Sequence, residues 1–327
     1  MHAARLNLAN EIMEEYNTPP LRAAIADRFS VQAEHLQLIR SYSNLVYDGG
    51  DQIIRLTHSS LRPESNIIAE LHWLAALGQA GLRVVHILPS KADNKWELIP
   101  GQEGDYFTAV SFEKLAGKRI EQEEWTPAHF RRLGELTAQL HLHSLSFKPA
   151  ESVSYPQWDE IIEHFSYQYA QQDREEIKWL FDALMQHFKS YPKHSENYGL
   201  IHYDIHHGNY FPQPDGIVLF DFEMTCYGWY MHDVATILYY ACNHPASRKI
   251  VDFEPTFLHY FWQGYESHHQ LPLEDRSMIS YYLLYRDLMV YGYLGKVWAG
   301  KELSEGDAAY LERLRKSIHR RKVVINK

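Results

Sequence analysis

The feature that most constrains this chain is the uneven placement of its β-prone segments. Short runs rich in β-branched and aromatic residues crowd positions 36–41, 45–47, 52–57, 84–88, 95–99 and 106–112, and helical periodicity dominates after Leu115-Ala116-Gly117. One helical segment, 63–77, is set among the early strands, with Gly78 or Gly81 to close it. Asp48-Gly49-Gly50 provides a hairpin turn between the second and third runs, because glycine readily adopts the positive φ such turns require. Upstream, Thr18 caps a helix with Pro19 at its first position, and Leu21, Ala24, Ile25 and Phe29 form its apolar face. Later helical patterns cover 126–143, 158–169, 175–188, 233–242, 254–266, 278–298 and 307–319, broken only by a strand-rich interruption at 200–222. This segregation predicts an α+β fold of two lobes: a small mixed lobe over 1–113, with its leading helices, and a large, mostly helical lobe over 114–327.

Charge narrows the partners. The 32 Lys and Arg stand against 42 Asp and Glu, a net charge of −10. The segment 311–327 carries seven basic residues and one acidic, so residues 1–310 sum to −16. A body that acidic repels nucleic acid and anionic membranes at long range, so neither is expected as a partner. The same bias favours neutral or cationic small molecules. Two cysteines, Cys226 and Cys242, are too few for a disulfide framework, no apolar run approaches the length of a membrane span, and the N-terminus has acidic residues where a signal peptide needs an apolar core. A cytoplasmic protein is expected; the sequence leaves its oligomeric state open.

The chemistry concentrates in the 200–222 interruption. It reads Leu200-Ile201-His202-Tyr203-Asp204-Ile205-His206-His207-Gly208-Asn209, and then Ile217-Val218-Leu219-Phe220-Asp221-Phe222-Glu223, an apolar strand that ends abruptly in carboxylates. Charged groups at a strand end, beside a polar loop, can build a site without burying unpaired charge. Asp204 and Asn209 on one loop, followed by Asp221, offer hard oxygen donors of the kind Mg²⁺ takes while leaving room for phosphates and water.

His-x-Asp-x-x-x-x-Asn followed by Asp-Phe-Glu resembles the catalytic and metal loops of the aminoglycoside phosphotransferase and choline kinase-like family, relatives of protein kinases. The resemblance implies a two-lobed protein kinase-like fold and an ATP-dependent phosphotransferase acting on a hydroxyl. It makes Asp204 the catalytic base, Asn209 and Asp221 the Mg²⁺ ligands, His202 a prop of the loop and Asp233 an anchor behind it. It also implies a cation on the third strand paired with a Glu on the next helix; Arg55 and Glu70 stand there, with Arg in place of the usual Lys. Glu70 shares the apolar side of its helix with Ile67 and Leu74, and a carboxylate so placed needs a cation. Ser43-Asn44 is similar to the family's nucleotide loop, although no Gly-x-Gly-x-x-Gly is present. The stretch Ser111-Phe112-Glu113-Lys114-Leu115 resembles its hinge, where main-chain groups would meet adenine.

Two other readings use the same residues. A catalytically silent kinase-like protein could bind nucleotide or act as a scaffold, and His202, His206 and His207 with Asp204 could instead hold zinc in a hydrolase. Among the many aromatics of the helical lobe, most are expected in the core. Glu223 and Asp287 are the carboxylates there that a cationic acceptor could use if they are not simply solvated or capping.

Overall fold

The computed structural model describes residues 16–41, 43–101, 104–121, 124–163, 174–298 and 300–325. The expected helical pattern before residue 16, and residues 164–169 of the expected helix at 158–169, lie outside the described residues. The chain divides into two compact units. One comprises Met1–Lys118, Lys148–Tyr155 and Pro212–Glu223; the other comprises Arg119–Phe147, Pro156–Phe211 and Met224–Lys327.

The first unit is built on a six-stranded antiparallel sheet in the order β1-β2-β3-β6-β4, with β5 also on β6. Its strands are β1 (Gln37–Ser41), β2 (Leu45–Asp48), β3 (Gln52–His58), β4 (Ile87–Leu88), β5 (Glu97–Pro100) and β6 (Tyr106–Glu113). The β2–β3 turn forms as its residues require: Gly50 has φ +97° and donates its amide to Asp48 Oδ1 at 2.9 Å. Helix α1 (Pro19–Arg28) starts at Thr18, whose hydroxyl accepts from the Leu21 amide. Its Leu21 and Ile25, with Phe29 just beyond, pack against Leu45, Tyr47, Ile54, Leu56, Ile99 and Phe107 to make the core of this unit. Helix α2 (Glu64–Gln79) buries Ile67, Glu70, Leu71, Trp73, Leu74 and Leu77, and the left-handed Gly81 follows its end while Gly78 stays inside it.

One expected strand divides. Only Ile87 and Leu88 of the 84–88 run join the sheet. The run's first residues pair elsewhere, because the Val85 amide donates to the Leu219 carbonyl and the Leu219 amide to the Arg83 carbonyl, each at 3.0 Å. This pairing ties β9 (Gly216–Leu219), the second strand of a hairpin with β8 (Tyr210–Gln213), to the first unit. Asp221, just past β9, therefore belongs with Arg55 and Glu70 although three helices of the second unit separate them in sequence.

The second unit is mostly helical: α3 (Pro127–Ser146), α4 (Trp158–Glu163), α5 (Arg174–Ser190), α6 (Tyr230–Asn243), α7 (Phe253–Tyr265), α8 (Leu273–Ser277), α9 (Ile279–Val297) and α10 (Glu305–Arg321). Strand β7 (Tyr198–Ile201) pairs antiparallel with β10 (Cys226–Trp229). The pattern does not reveal β10, since Cys-Tyr-Gly-Trp is too short to show a period. Helices α3 and α7 cross at two glycines. A Cβ on Gly134 would sit 2.0 Å from the Phe261 carbonyl oxygen, and one on Gly264 would sit 2.0 Å from that of Arg131. No side chain fits at either position. Buried rings fill the rest, with Phe188 stacked on Tyr282 at 4.6 Å and Trp158 against Trp229 at 5.2 Å. Among the described residues, no helix is long and apolar enough to cross a membrane.

Candidate active site

In the first unit the expected ion pair forms in full. Arg55 on β3 donates from Nη1 and Nη2 to the two oxygens of Glu70 on α2, at 2.8 and 2.9 Å, and both residues are buried. Glu70 takes a second cation as well, from Arg62 Nη1 at 2.5 Å. Burial alone would raise the Glu70 pKa, but Arg55 and Arg62 outweigh it and hold the carboxyl below its ordinary range. For Arg55, burial pulls downward and the Glu70 carboxylate more than reverses it, so the guanidinium stays charged. Its fork is a bidentate match to a carboxylate that the ammonium of a lysine could not make.

Asn44 is held on both sides of its amide. Its Nδ2 donates to Glu223 Oε2 at 2.8 Å, and its Oδ1 accepts from the Thr57 hydroxyl at 2.5 Å. A link thus runs from β3 through the Ser43-Asn44 loop to the Asp221-Phe222-Glu223 segment. Ser43 Oγ lies 3.4 Å from the same Nδ2. Burial pushes the Glu223 carboxyl up; Asp221 adds to this, and Arg62 and Arg55 oppose it. Glu223 is therefore committed to this cluster. Asp221 has φ +64°, a conformation that aspartate tolerates better than most residues, and Arg40 Nη1 approaches its Oδ2 at 3.4 Å. The Phe222 ring packs edge-on against Trp73 of α2 at 5.8 Å.

The hinge residues divide by strand geometry. Ser111 lies inside β6 with β3 on one side and β4 on the other, and its hydroxyl donates to Gln52 Oε1 at 2.6 Å. The Glu113 amide donates to the His86 carbonyl at 2.9 Å, and the Glu113 carboxylate accepts from the His86 amide at the same distance. Lys114 and Leu115, past the strand end, lie outside the sheet.

In the second unit the loop after β7 is anchored from behind. Asp233 on α6 is fully buried, and its oxygens accept the amides of His202 at 3.0 Å and Tyr203 at 2.7 Å. His141 Nε2 lies 3.3 Å from Asp233 Oδ2. Tyr203 has φ +74°, which turns two successive amides toward one carboxylate. Burial would raise the Asp233 pKa, but His141 and its other neighbours lower it. His202, also buried, accepts the Asp204 amide on Nδ1 at 3.3 Å. Asp233→Ala would strand two buried amides, and we expect it to lower stability by about 3 kcal/mol or more. Chemical denaturation checks this; a loss below about 1 kcal/mol would contradict the anchoring role.

Asp204 is then fixed in a defined setting. Its Oδ1 accepts from Arg286 Nη2, and its Oδ2 lies 3.4 Å from both His206 Nε2 and Asn209 Nδ2. Asn209 Nδ2 also donates to the Asp204 carbonyl at 3.0 Å, which orients the amide and directs its oxygen the other way. Burial opposes ionisation of Asp204, but Arg286 and the nearby histidines overcome it and hold the carboxyl well below the usual carboxylate range. Asn209 in the second unit and Asp221 in the first each carry a hard oxygen donor, an amide oxygen and a carboxylate respectively, of the kind divalent cations take. The zinc alternative finds no support in the geometry: His206 Nδ1 accepts the Gly208 amide at 2.8 Å, and no group of three His, Cys, Asp or Glu among the described residues converges to hold a metal.

The family model for the phosphotransferase enzyme family matches residues 35–276, most of the chain. This chain belongs to that family. As a phosphotransferase it shares the protein kinase-like fold of solved relatives, with the small β-sheet unit and largely helical remainder described above. It is 26% identical to the amicoumacin kinase of Bacillus subtilis (strain 168) over 320 residues, covering 96% of this chain and 95% of that protein. It is similar to the solved structure of the amicoumacin kinase hAmiN in complex with AMP-PNP, Ca²⁺ and Ami, at TM-score 0.85 and 26% identity, covering 94% and 95% of the two chains. A microcompartment-associated aminopropanol kinase shares the fold at TM-score 0.72 and 22% identity, covering 91% of this chain and 94% of that one.

Two cations of the phosphotransferase escape the sequence reading, Arg62 and Arg286. Each carries a signal. Arg62 immediately precedes Pro63 at the start of α2, where a cation opposes the helix dipole unless a carboxylate takes it. Arg286-Asp287 interrupts the apolar run ISYYLLYRDLMVYGYLGKV, and charges set in such a run need buried partners. Arg286 finds Asp204. Asp287 accepts from the Ser317 hydroxyl at 2.7 Å and lies 3.1 Å from Arg321 Nε, so it is neither solvated nor turned toward an acceptor. Burial nevertheless pushes its carboxyl up to about 6.

Proposed function

We propose that this phosphotransferase moves the γ-phosphoryl group of ATP to a hydroxyl of a small, neutral or cationic molecule. The observation that carries the reading is the setting of Asp204, whose carboxylate accepts from Arg286 on a loop that also carries and orients Asn209. As the acceptor oxygen bonds to the γ-phosphorus, its proton passes to Asp204. The bond from that phosphorus to the β,γ-bridging oxygen breaks, and its electron pair leaves with ADP. Positioning and charge neutralisation do most of the work in such a transfer.

Asn209 and Asp221 would hold Mg²⁺, which when bound supplies positive charge at the phosphates. Arg55 would meet the α/β-phosphates through guanidinium hydrogens directed away from Glu70, and the main chain of the Ser43-Asn44 loop would cover them. In this reading Asn44's own amide braces Glu223 and does not contact nucleotide. The hinge from Ser111 to Leu115 would receive adenine, with Leu115 and the end of Glu113 nearest the base and Ser111 holding the strand. His202 and Asp233 support the catalytic loop.

Similarity to amicoumacin kinases along nearly the whole chain favours a small-molecule acceptor over a protein hydroxyl. A panel of hydroxyl acceptors, with amicoumacin, aminopropanol, choline and aminoglycosides among them, assayed by ATP consumption, tests the reading. At least one should raise ATP turnover in a Mg²⁺-dependent manner, with phosphate found on its oxygen. Transfer only to a protein serine or threonine would refute the small-molecule assignment.

A further inference from the structure

The carboxylate of Asp204 is gripped on both oxygens by side chains tied to a single tyrosine. Arg286 projects from α9 and donates through Nη2 to Asp204 Oδ1 and also to the Tyr240 hydroxyl at 3.2 Å. Its Cζ lies 5.0 Å from the centre of the Tyr240 ring. On the other side, the His206 ring packs 4.7 Å from that same tyrosine ring, and its Nε2 lies 3.4 Å from Asp204 Oδ2. The four side chains close a circuit.

The grip is uneven. Oδ1 receives a charge-assisted hydrogen bond from a buried guanidinium, whereas the His206 and Asn209 contacts of Oδ2 are both 3.4 Å long, at the weak end of the hydrogen-bond range. Oδ2 is thus the oxygen an incoming hydroxyl can claim without displacing a strong partner. The arrangement is also costly. Arg286 Nε is buried with no hydrogen-bond partner among the described residues, and an apolar side chain in the middle of an apolar helix would avoid that desolvation. Stability alone does not account for the arginine.

We propose that Arg286, braced by Tyr240, is a positioning residue for phosphoryl transfer: it immobilises Oδ1 of Asp204 so that Oδ2 is presented to the acceptor hydroxyl. The inference rests on Asp204 acting as the base. A group that acts by preorganisation should appear in kcat and leave nucleotide affinity alone.

The test compares Arg286→Met, Arg286→Lys, Tyr240→Phe, Asp204→Asn and the Arg286→Met/Asp204→Asn double variant in the full chain, with turnover expressed per nucleotide-binding molecule. Arg286→Met should lower kcat about 10- to 100-fold, with KM for ATP changed less than about twofold. Arg286→Lys should recover part of the loss, because an ammonium keeps the charge but not the planar fork. On the Asp204→Asn background the Met change should cost less than about threefold more, since its effect passes through the missing carboxylate.

Normal kcat in Arg286→Met, or a full additive loss in the double variant, overturns the proposal. If Arg286→Met does not fold, Arg286→Lys and Tyr240→Phe decide, each with a several-fold fall in kcat expected; normal kcat in both overturns it. Activity surviving in Asp204→Asn would instead remove the base assignment itself. An inactive Asp204→Asn beside a fully active Arg286→Met would remove only the role of Arg286.

Discussion

Asp204→Asn is expected to lower kcat by about 10² to 10⁴, the usual span for a lost general base, while ATP still binds. The change keeps shape and removes the charge that Arg286 faces. Arg286 retains its hydrogen bond to the Tyr240 hydroxyl, so the guanidinium is not left wholly unpaired. Stability should therefore fall by less than it would with Asp204→Ala. Steady-state kinetics with the acceptor identified by the panel, together with nucleotide titration, provide the check. Turnover within about threefold of the unaltered protein would mean that another group takes the proton. Because its neighbours keep Asp204 ionised well below the ordinary carboxylate range, its titration should contribute no acid limb to kcat between pH 5 and 8.

Asp221→Ala should act on a different quantity. Loss of a group that hydrogen-bonds and orients a metal ligand typically costs about 10- to 100-fold in metal affinity, and loss of the ligand itself should cost at least that. We expect Mg²⁺-dependent enhancement of ATP binding to disappear while metal-free nucleotide affinity is kept. The Arg55-Glu70-Arg62 cluster does not depend on Asp221 for its hydrogen bonds, so the remaining nucleotide contacts should survive. Equal ATP affinity with and without Asp221, at saturating Mg²⁺, would contradict the metal assignment.

Much of this was legible in the sequence because the informative residues obey local rules. Thr18-Pro19 and Asp48-Gly49-Gly50 each specify a cap or a turn through their own backbone and side-chain preferences, and each forms as expected. The loop from His202 to Asn209 was legible because its chemistry is written at fixed spacing in one segment. The Arg55–Glu70 pair was legible because a carboxylate on the apolar side of a helix demands a cation.

What stayed hidden depends on contacts between distant segments. Arg286 is 82 positions from Asp204, and no period links a residue on α9 to the loop after β7. Arg62 reaches Glu70 from the turn before α2, a contact that exists only once that turn has folded back on the helix. Val84 reads like the strand residues that follow it, yet it bridges to Leu219, a pairing that only long-range topology decides. The burial of the Asn44 side chain between Thr57 and Glu223 depends on the neighbouring strand and the returning hairpin, which no local pattern at Ser43-Asn44 specifies.

Helix α9 has a consequence for how the catalytic region is delimited. The family match ends at residue 276, three residues before this helix begins. A fragment cut to the matched span would keep Asp204, Asn209 and Asp221, and by motif it would look complete. It would lack Arg286, the strongest partner of Asp204, and the surface of α6 that α9 covers would be left open to water. Even a cut after α9 would take away Ser317 and Arg321, leaving Asp287 buried next to Arg286 with its counter-charge gone. The smallest active form of this enzyme should therefore extend at least to Arg321, well past the last residue that family resemblance marks.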